Sequence, residues 1–160
     1  MRKVIINSTP LIALCKVKKL GLLHDLYGEV TIPDAVFHEV SRKNDRVKKE
    51  IEESPWIHIE SITDQSHKRM YKAKLHDGEV EVMILAQEHA GDHLVVIDDY
   101  AARKTAEFLG LTLTGTIGVL IKAKQLGLLT EVIPIISDLE LNGIYFSDAL
   151  KDRCRRIAEE

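Results

Sequence analysis

The chain has 160 residues, 45% hydrophobic and 29% charged, enough for one ordinary domain that buries roughly 70% of its unfolded surface. With 22 Lys and Arg against 25 Asp and Glu, its net charge of -3 excludes a basic nucleic-acid coat, though a local basic patch can still steer RNA toward an acidic metal centre. Cys15 and Cys154 are too few for a disulfide or thiolate-metal framework, and no apolar run approaches the length of a membrane span.

Met1-Arg2-Lys3 runs straight into an apolar stretch with no signal-peptide layout, so a soluble cytoplasmic domain is expected. Val4-Ile5-Ile6 reads as a buried strand. Ser8 or Thr9 then caps a helix whose first turn tolerates Pro10. That helix turns Leu11, Leu14 and Val17 inward and Lys16, Lys18 and Lys19 outward, and Gly21 breaks it. A further short turn or helix ends at Gly28.

Val30-Thr31-Ile32 is a second strand, closed by Pro33, and Pro33 or Asp34 opens a helix with Val36, Phe37, Glu39 and Val40. Ser41 to Ser54 continues helical, with Val47 and Ile51 on one face. Trp56 to Ile59 reads as an edge strand. Helical spacing returns from Gln65 to His89, with Gly78 at a junction and Asp77 as its N-cap. Leu94-Val95-Val96-Ile97 is the fourth strand and ends in Asp98-Asp99. A helix from Ala101 to Leu109 stops at Gly110, Leu111 to Thr114 is the fifth strand, and Gly115-Thr116 turns into a helix running to Gln125.

Strands alternating with helices predict a mostly parallel sheet covered on both faces. The tail breaks that rhythm: a short helix over 135–141 ends at Gly143, Ile144 to Phe146 is extended, and Ser147 caps a last helix. One domain over 1–160, with 135–160 as a C-terminal helical appendage, is the expected organisation.

Ligands of an open parallel sheet collect at the carboxyl ends of its strands, where this chain puts Asn7, Asp98-Asp99 and Gly115-Thr116. Glu39 and Glu79 stand on the intervening helices. Carboxylates drawn together need a cation, and hard oxygen ligands suit Mg²⁺ or Mn²⁺. An ion held by Asp98, Glu79 and Glu39 would support metal-assisted hydrolysis of a phosphodiester.

Each residue also has a plainer reading. Asp98 can cap the following helix; Asp99 is either that cap or a secondary ligand, because adjacent acids point in different directions. Glu79 suits a helix first turn, and Glu39 suits a solvated face. Glu81, two residues after Glu79, is expected at the surface. Asn7, Ser8 and Thr9 either close a local turn or hold a metal-bound water. Lys16 and Arg103 are candidate contacts to a phosphate backbone. GxxxxGK[ST], GxGxxG and HExxH are all absent. The fifth strand is followed by Gly115-Thr116, not Lys or Arg, which argues against a receiver-like phosphatase.

Five segments, in order, carry a family resemblance: Val4 to Leu14 (VIINSTPLIAL), Val30 to Pro33 with Val36 to Val40, Asp77 to Glu81 (DGEVE), Val96 to Asp99 with Ala102-Arg103, and Thr114 to Leu120 (TGTIGVL). Over residues 3–150 the chain resembles the PIN domain superfamily, and more narrowly its short prokaryotic branch of predicted nucleic-acid-binding proteins. The resemblance implies a three-layer α/β/α sandwich with a parallel five-stranded sheet ordered 3-2-1-4-5. It also implies a Mg²⁺- or Mn²⁺-dependent ribonuclease, often the toxin of a toxin-antitoxin pair, and a homodimer. The family's acids fall on Asn7, Glu39, Glu79 and Asp98, with Asp99 as a possible neighbour of the fourth and Ser8 or Thr9 as the accompanying hydroxyl. Asn7 departs from the usual Asp: its amide can offer an oxygen but brings no charge and cannot act as a base. A catalytically weak or inactive protein that binds RNA or a partner protein is the alternative.

Overall fold

The computed structural model describes residues 2–71, 75–89 and 91–160; residues 72–74, within the expected helical stretch from Gln65 to His89, lie outside the described ones. Five strands, β1 (Lys3–Ile6), β2 (Val30–Pro33), β3 (Ile57–Glu60), β4 (His93–Val96) and β5 (Leu113–Thr114), form one sheet in the order β3-β2-β1-β4-β5. Every neighbouring pair is parallel. Parallel neighbours require crossovers, and helices supply them, so the protein is an α/β/α sandwich. The central strands are buried, Ile5, Ile6, Val95 and Val96 completely so; continuous branched apolar runs suit a sheet covered on both faces.

The helices are α1 (Ser8–Lys16), α2 (Gly21–Tyr27), α3 (Asp34–Lys43), α4 (Asp45–Glu52), α5 (Lys68–Tyr71), α6 (Asp77–Glu88), α7 (Tyr100–Phe108), α8 (Thr116–Gln125), α9 (Ile133–Leu141) and α10 (Asp148–Ala158). Of these, α6 positions the candidate site. It packs on β1, β2 and β4 and is itself packed by α3 and α5, so Gly78 to Ala86 are buried without a break. A helix enclosed on every side carries its polar residues into the interior with it. Glu81, expected at the surface, is therefore only 5% exposed.

Several local expectations are corrected. Asn44 splits the stretch from Ser41 to Ser54, accepting hydrogen bonds from the Arg46 and Val47 amides as the N-cap of α4; a side-chain acceptor for orphan amides is worth about 1 kcal/mol. Gly21 opens α2, and α1 has already ended at Lys16. Asn7, not Ser8 or Thr9, occupies the N-cap position of α1, and His76 occupies that of α6, with Asp77 its first residue. β5 shortens to two residues, and Ile144 to Phe146 lie outside the sheet. Towards the C-terminus, α10 packs on α8 and α9.

Candidate active site at the β1–β4 crevice

The strand order reverses between β1 and β4, the position at which an open α/β sheet splays its loops apart. Asn7 stands there: its amide donates to the Val96 carbonyl at 3.0 Å, extending the β1–β4 ladder one residue beyond the strand. Its side chain is 3% exposed, and Oδ1 finds no hydrogen-bond partner among the described residues. A buried amide oxygen left unpaired costs about 1–3 kcal/mol.

Next in sequence, the buried Ser8 hydroxyl donates to Glu39 Oε2 at 2.8 Å, while the Lys43 ammonium donates to Glu39 Oε1 at 2.8 Å from one turn further along α3. Burial pushes the Glu39 carboxyl up, but the bonds from Lys43 and Ser8 outweigh it and hold the group below the ordinary range. Thr9 is exposed. Gly78 brings α6 against this group. A Cβ there would lie 3.1 Å from Glu39 Oε2, 3.2 Å from Val36 Cγ2 and 3.5 Å from Asn7 Oδ1, so the missing side chain is what lets these two oxygens meet the start of α6.

Glu79 follows at once and is 6% exposed, with Oε2 likewise unpartnered among the described residues. Burial, and then the charge of Asp99, push its carboxyl above the ordinary range; His76 partly opposes this and Glu39 adds to it. Asn7, Glu39, Glu79 and Asp99 thus belong to one electrostatic neighbourhood. Glu81 is different. Its Oε1 accepts from the Ala35 amide at 3.0 Å and its Oε2 from the Lys68 ammonium at 2.7 Å.

The two acids after β4 also part. Asp98 Oδ1 accepts from the Thr116 amide at 2.7 Å and Oδ2 from the Thr116 hydroxyl at 2.6 Å. Asp99 is exposed and caps α7, its Oδ2 accepting from the Ala102 amide at 3.0 Å. Arg103 Nη1 donates to the Ile97 carbonyl at 2.8 Å, and Lys16 Nζ to the Asn142 carbonyl at 3.3 Å; both cations have structural bonds. Other basic side chains flank the acids. A cleft of about 720 Å³ beside Glu39 and Gly78 is lined by His38, Arg42, Lys68 and His76, with Asp34, Asp77 and Glu81 also in its wall.

The sequence profile of DUF3368, a PIN domain family, matches residues 3–160. The chain belongs to the PIN domain superfamily. No curated protein matches the chain. In this PIN domain the positions implied by the resemblance come together unequally: Asn7, Glu39 and Glu79 converge at the start of α6, whereas Asp98 turns to α8 and Asp99 supplies the charge felt by Glu79. Among the described residues, no three His, Cys, Asp or Glu side chains stand close enough to hold a metal ion by themselves. The donors present are nonetheless of the kind a hard cation takes: they are oxygens, they include the Asn7 amide, and two of them are buried without partners among the described residues. His76, Lys68 and Gly78 went unremarked in the sequence as site residues. His76 had one available signal, its place immediately before the Asp77-Gly78-Glu79 run.

Proposed function

We propose that this PIN domain is a Mg²⁺- or Mn²⁺-dependent endoribonuclease that hydrolyses RNA phosphodiester bonds. The observation that carries the reading is the pair of buried oxygens left unpartnered among the described residues, Asn7 Oδ1, which with Glu39 meets the start of α6 at Gly78, and Glu79 Oε2 on the next residue. Asn7, Glu79 and Asp99 would hold the ion. When bound, a divalent cation polarises a phosphoryl oxygen and lowers the pKa of a water.

The chain's own residues do the rest. Glu39, kept ionised by Lys43 and Ser8, accepts a hydrogen bond from the attacking water and aims it at phosphorus. Arg42 in the adjoining cleft meets phosphate oxygens of the RNA backbone. Hydrolysis forms one bond from the water oxygen to phosphorus and breaks the bond to the departing sugar oxygen, which takes the proton. A role as the toxin of a toxin-antitoxin pair, acting in the cytoplasm as a homodimer with a small antitoxin as partner, is the extension that the family resemblance supports. Among the described residues no helix is long and apolar enough to cross a membrane.

Asn7 favours a second reading, a PIN domain that binds RNA or a partner protein without cutting, because an amide where the family usually has Asp takes one negative charge from the crevice. Mn²⁺ titration calorimetry and an RNA cleavage assay on the native chain and Glu79→Gln separate the two. Metal binding and cleavage by the native chain, both lost in the variant, support the nuclease. RNA binding with neither metal uptake nor cleavage supports the second reading.

A further inference from the structure

We infer that the cleft between α3 and α6 is a base-reading subsite, in which Asp34 selects guanine in the RNA strand beside the scissile phosphate. This deepens the reading above and rests on it for the identity of the polymer. The feature that carries it is a stripe along α3. Asp34, His38 and Arg42 stand four residues apart, so they share one face of the helix, about 6 Å from one to the next along the axis and about 12 Å from end to end. All three line the cleft. A carboxylate, a flat ring and a guanidinium thus follow one another in the order of the base edge, base face and phosphate of a single nucleotide.

Both ends of the stripe are available. Arg42 is exposed and forms no ion pair with a described residue, whereas Lys68 in the same cleft is held by Glu81 at 2.7 Å. Asp34 is not engaged by its own helix, because the Ala35 amide donates to Glu81 instead. Among the described residues its hydrogen bond comes from the Ser61 hydroxyl, to Oδ2, just beyond β3. That bond fixes the carboxyl and leaves Oδ1 open. The helix dipole accounts for an acid in a first turn, but not for a ring and an unpaired cation one and two turns later. The volume of about 720 Å³ lies within the usual range of ligand sites. Glu39 and Gly78 line the same cleft, which keeps a nucleotide in it next to the reacting phosphate. The carboxylate decides the base. Guanine alone presents two adjacent N–H donors on its Watson–Crick edge, N1–H and N2–H, the fork that two carboxylate oxygens accept. Adenine and cytosine put a ring acceptor beside their amino group, and uracil puts carbonyls around its N–H, so each of these sets a lone pair against Asp34.

The test is binding of the metal-free protein, in EDTA, to labelled single-stranded oligouridylates carrying one central G, A or C, read by fluorescence anisotropy. The native chain should bind the G strand about tenfold more tightly than the other two. Asp34→Asn, which keeps an acceptor for Ser61, should lose that preference. Arg42→Met should weaken all the strands alike and lower the slope of affinity against salt by about one. Equal affinity of the native chain for the three strands overturns the inference, and so does a guanine preference that survives in Asp34→Asn. Mn²⁺ uptake and cleavage, measured on the same proteins, keep the two readings apart. Guanine preference with neither supports the base-reading subsite and overturns the nuclease. Cleavage with no base preference supports the nuclease and overturns the subsite.

Discussion

Glu79 and Glu81 sit two residues apart on α6, equally buried, in surroundings of opposite character. Glu81 is satisfied: a backbone amide of α3 and the Lys68 ammonium take its two oxygens. Glu79 keeps one oxygen unpartnered among the described residues, and has its carboxyl pushed above the ordinary range by burial and then by the charge of Asp99, with Glu39 adding to it. Burial alone therefore does not separate a structural acid from a functional one. The separation lies in what surrounds the charge, since a protein that leaves a buried carboxylate beside other carboxylates is less stable for it unless a cation arrives.

The largest effect that sharpens this contrast is on activity. Glu79→Gln should lower Mn²⁺ affinity and RNA cleavage by about a hundredfold, with no loss of stability. The opposite pattern is expected for Glu81→Ala, which strands the Lys68 ammonium and the Ala35 amide. It should cost about 2–4 kcal/mol in urea unfolding. Asn7→Asp restores a charge to the crevice. It should raise Mn²⁺ affinity about tenfold and, without metal, lower the midpoint of thermal unfolding, because the added carboxylate repels Glu39 and Glu79.

The smallest effects are in pH dependence, and they take opposite signs. Glu79 has a raised folded pKa, so the folded state binds more protons than the unfolded one as pH climbs from the ordinary value of 4.5. Stability falls through that window, and metal-free Glu79→Gln should lack the slope. Glu160 is the reverse case. Burial pushes its carboxyl up, but bonds from the Val132 amide, the Lys124 ammonium and the Ile133 amide outweigh this and hold it below the ordinary range. Its contribution is present above 4.5 and lost as pH falls through the lowered value. Glu160→Gln should cost about 1–2 kcal/mol at neutral pH, and the difference from native should shrink in acid-range unfolding curves.

β1, β2 and β4 were legible because each is a short, mostly branched apolar run followed by a polar or proline residue, and the order of segments carried the topology through the family resemblance. Asn7, Asp98 and Asp99 were legible as strand-end polar groups and Glu79 as a helix-start acid, whereas Glu39, in the middle of α3, was singled out by the family resemblance. Other features depend on contacts between distant residues. Glu81 was read as a surface acid because two positions along a helix do point apart. It does face away from Glu79, but toward Lys68 and α3, and the covering Lys68 lies thirteen positions earlier in the chain. Asp98 and Asp99 look interchangeable in sequence. Their difference is set by Thr116, eighteen positions after Asp98, and by the close approach of Gly115. The break at Asn44 was within reach of local chemistry, since an Asn before a charged helical stretch is a good N-cap.

The most direct test of the contrast on α6 is Mn²⁺ calorimetry on three proteins: the native chain, Glu79→Gln and Glu81→Gln. The account predicts binding by the native chain and by Glu81→Gln, with affinity about a hundredfold lower in Glu79→Gln. Native-like affinity in Glu79→Gln, or an equal loss in Glu81→Gln, would contradict it.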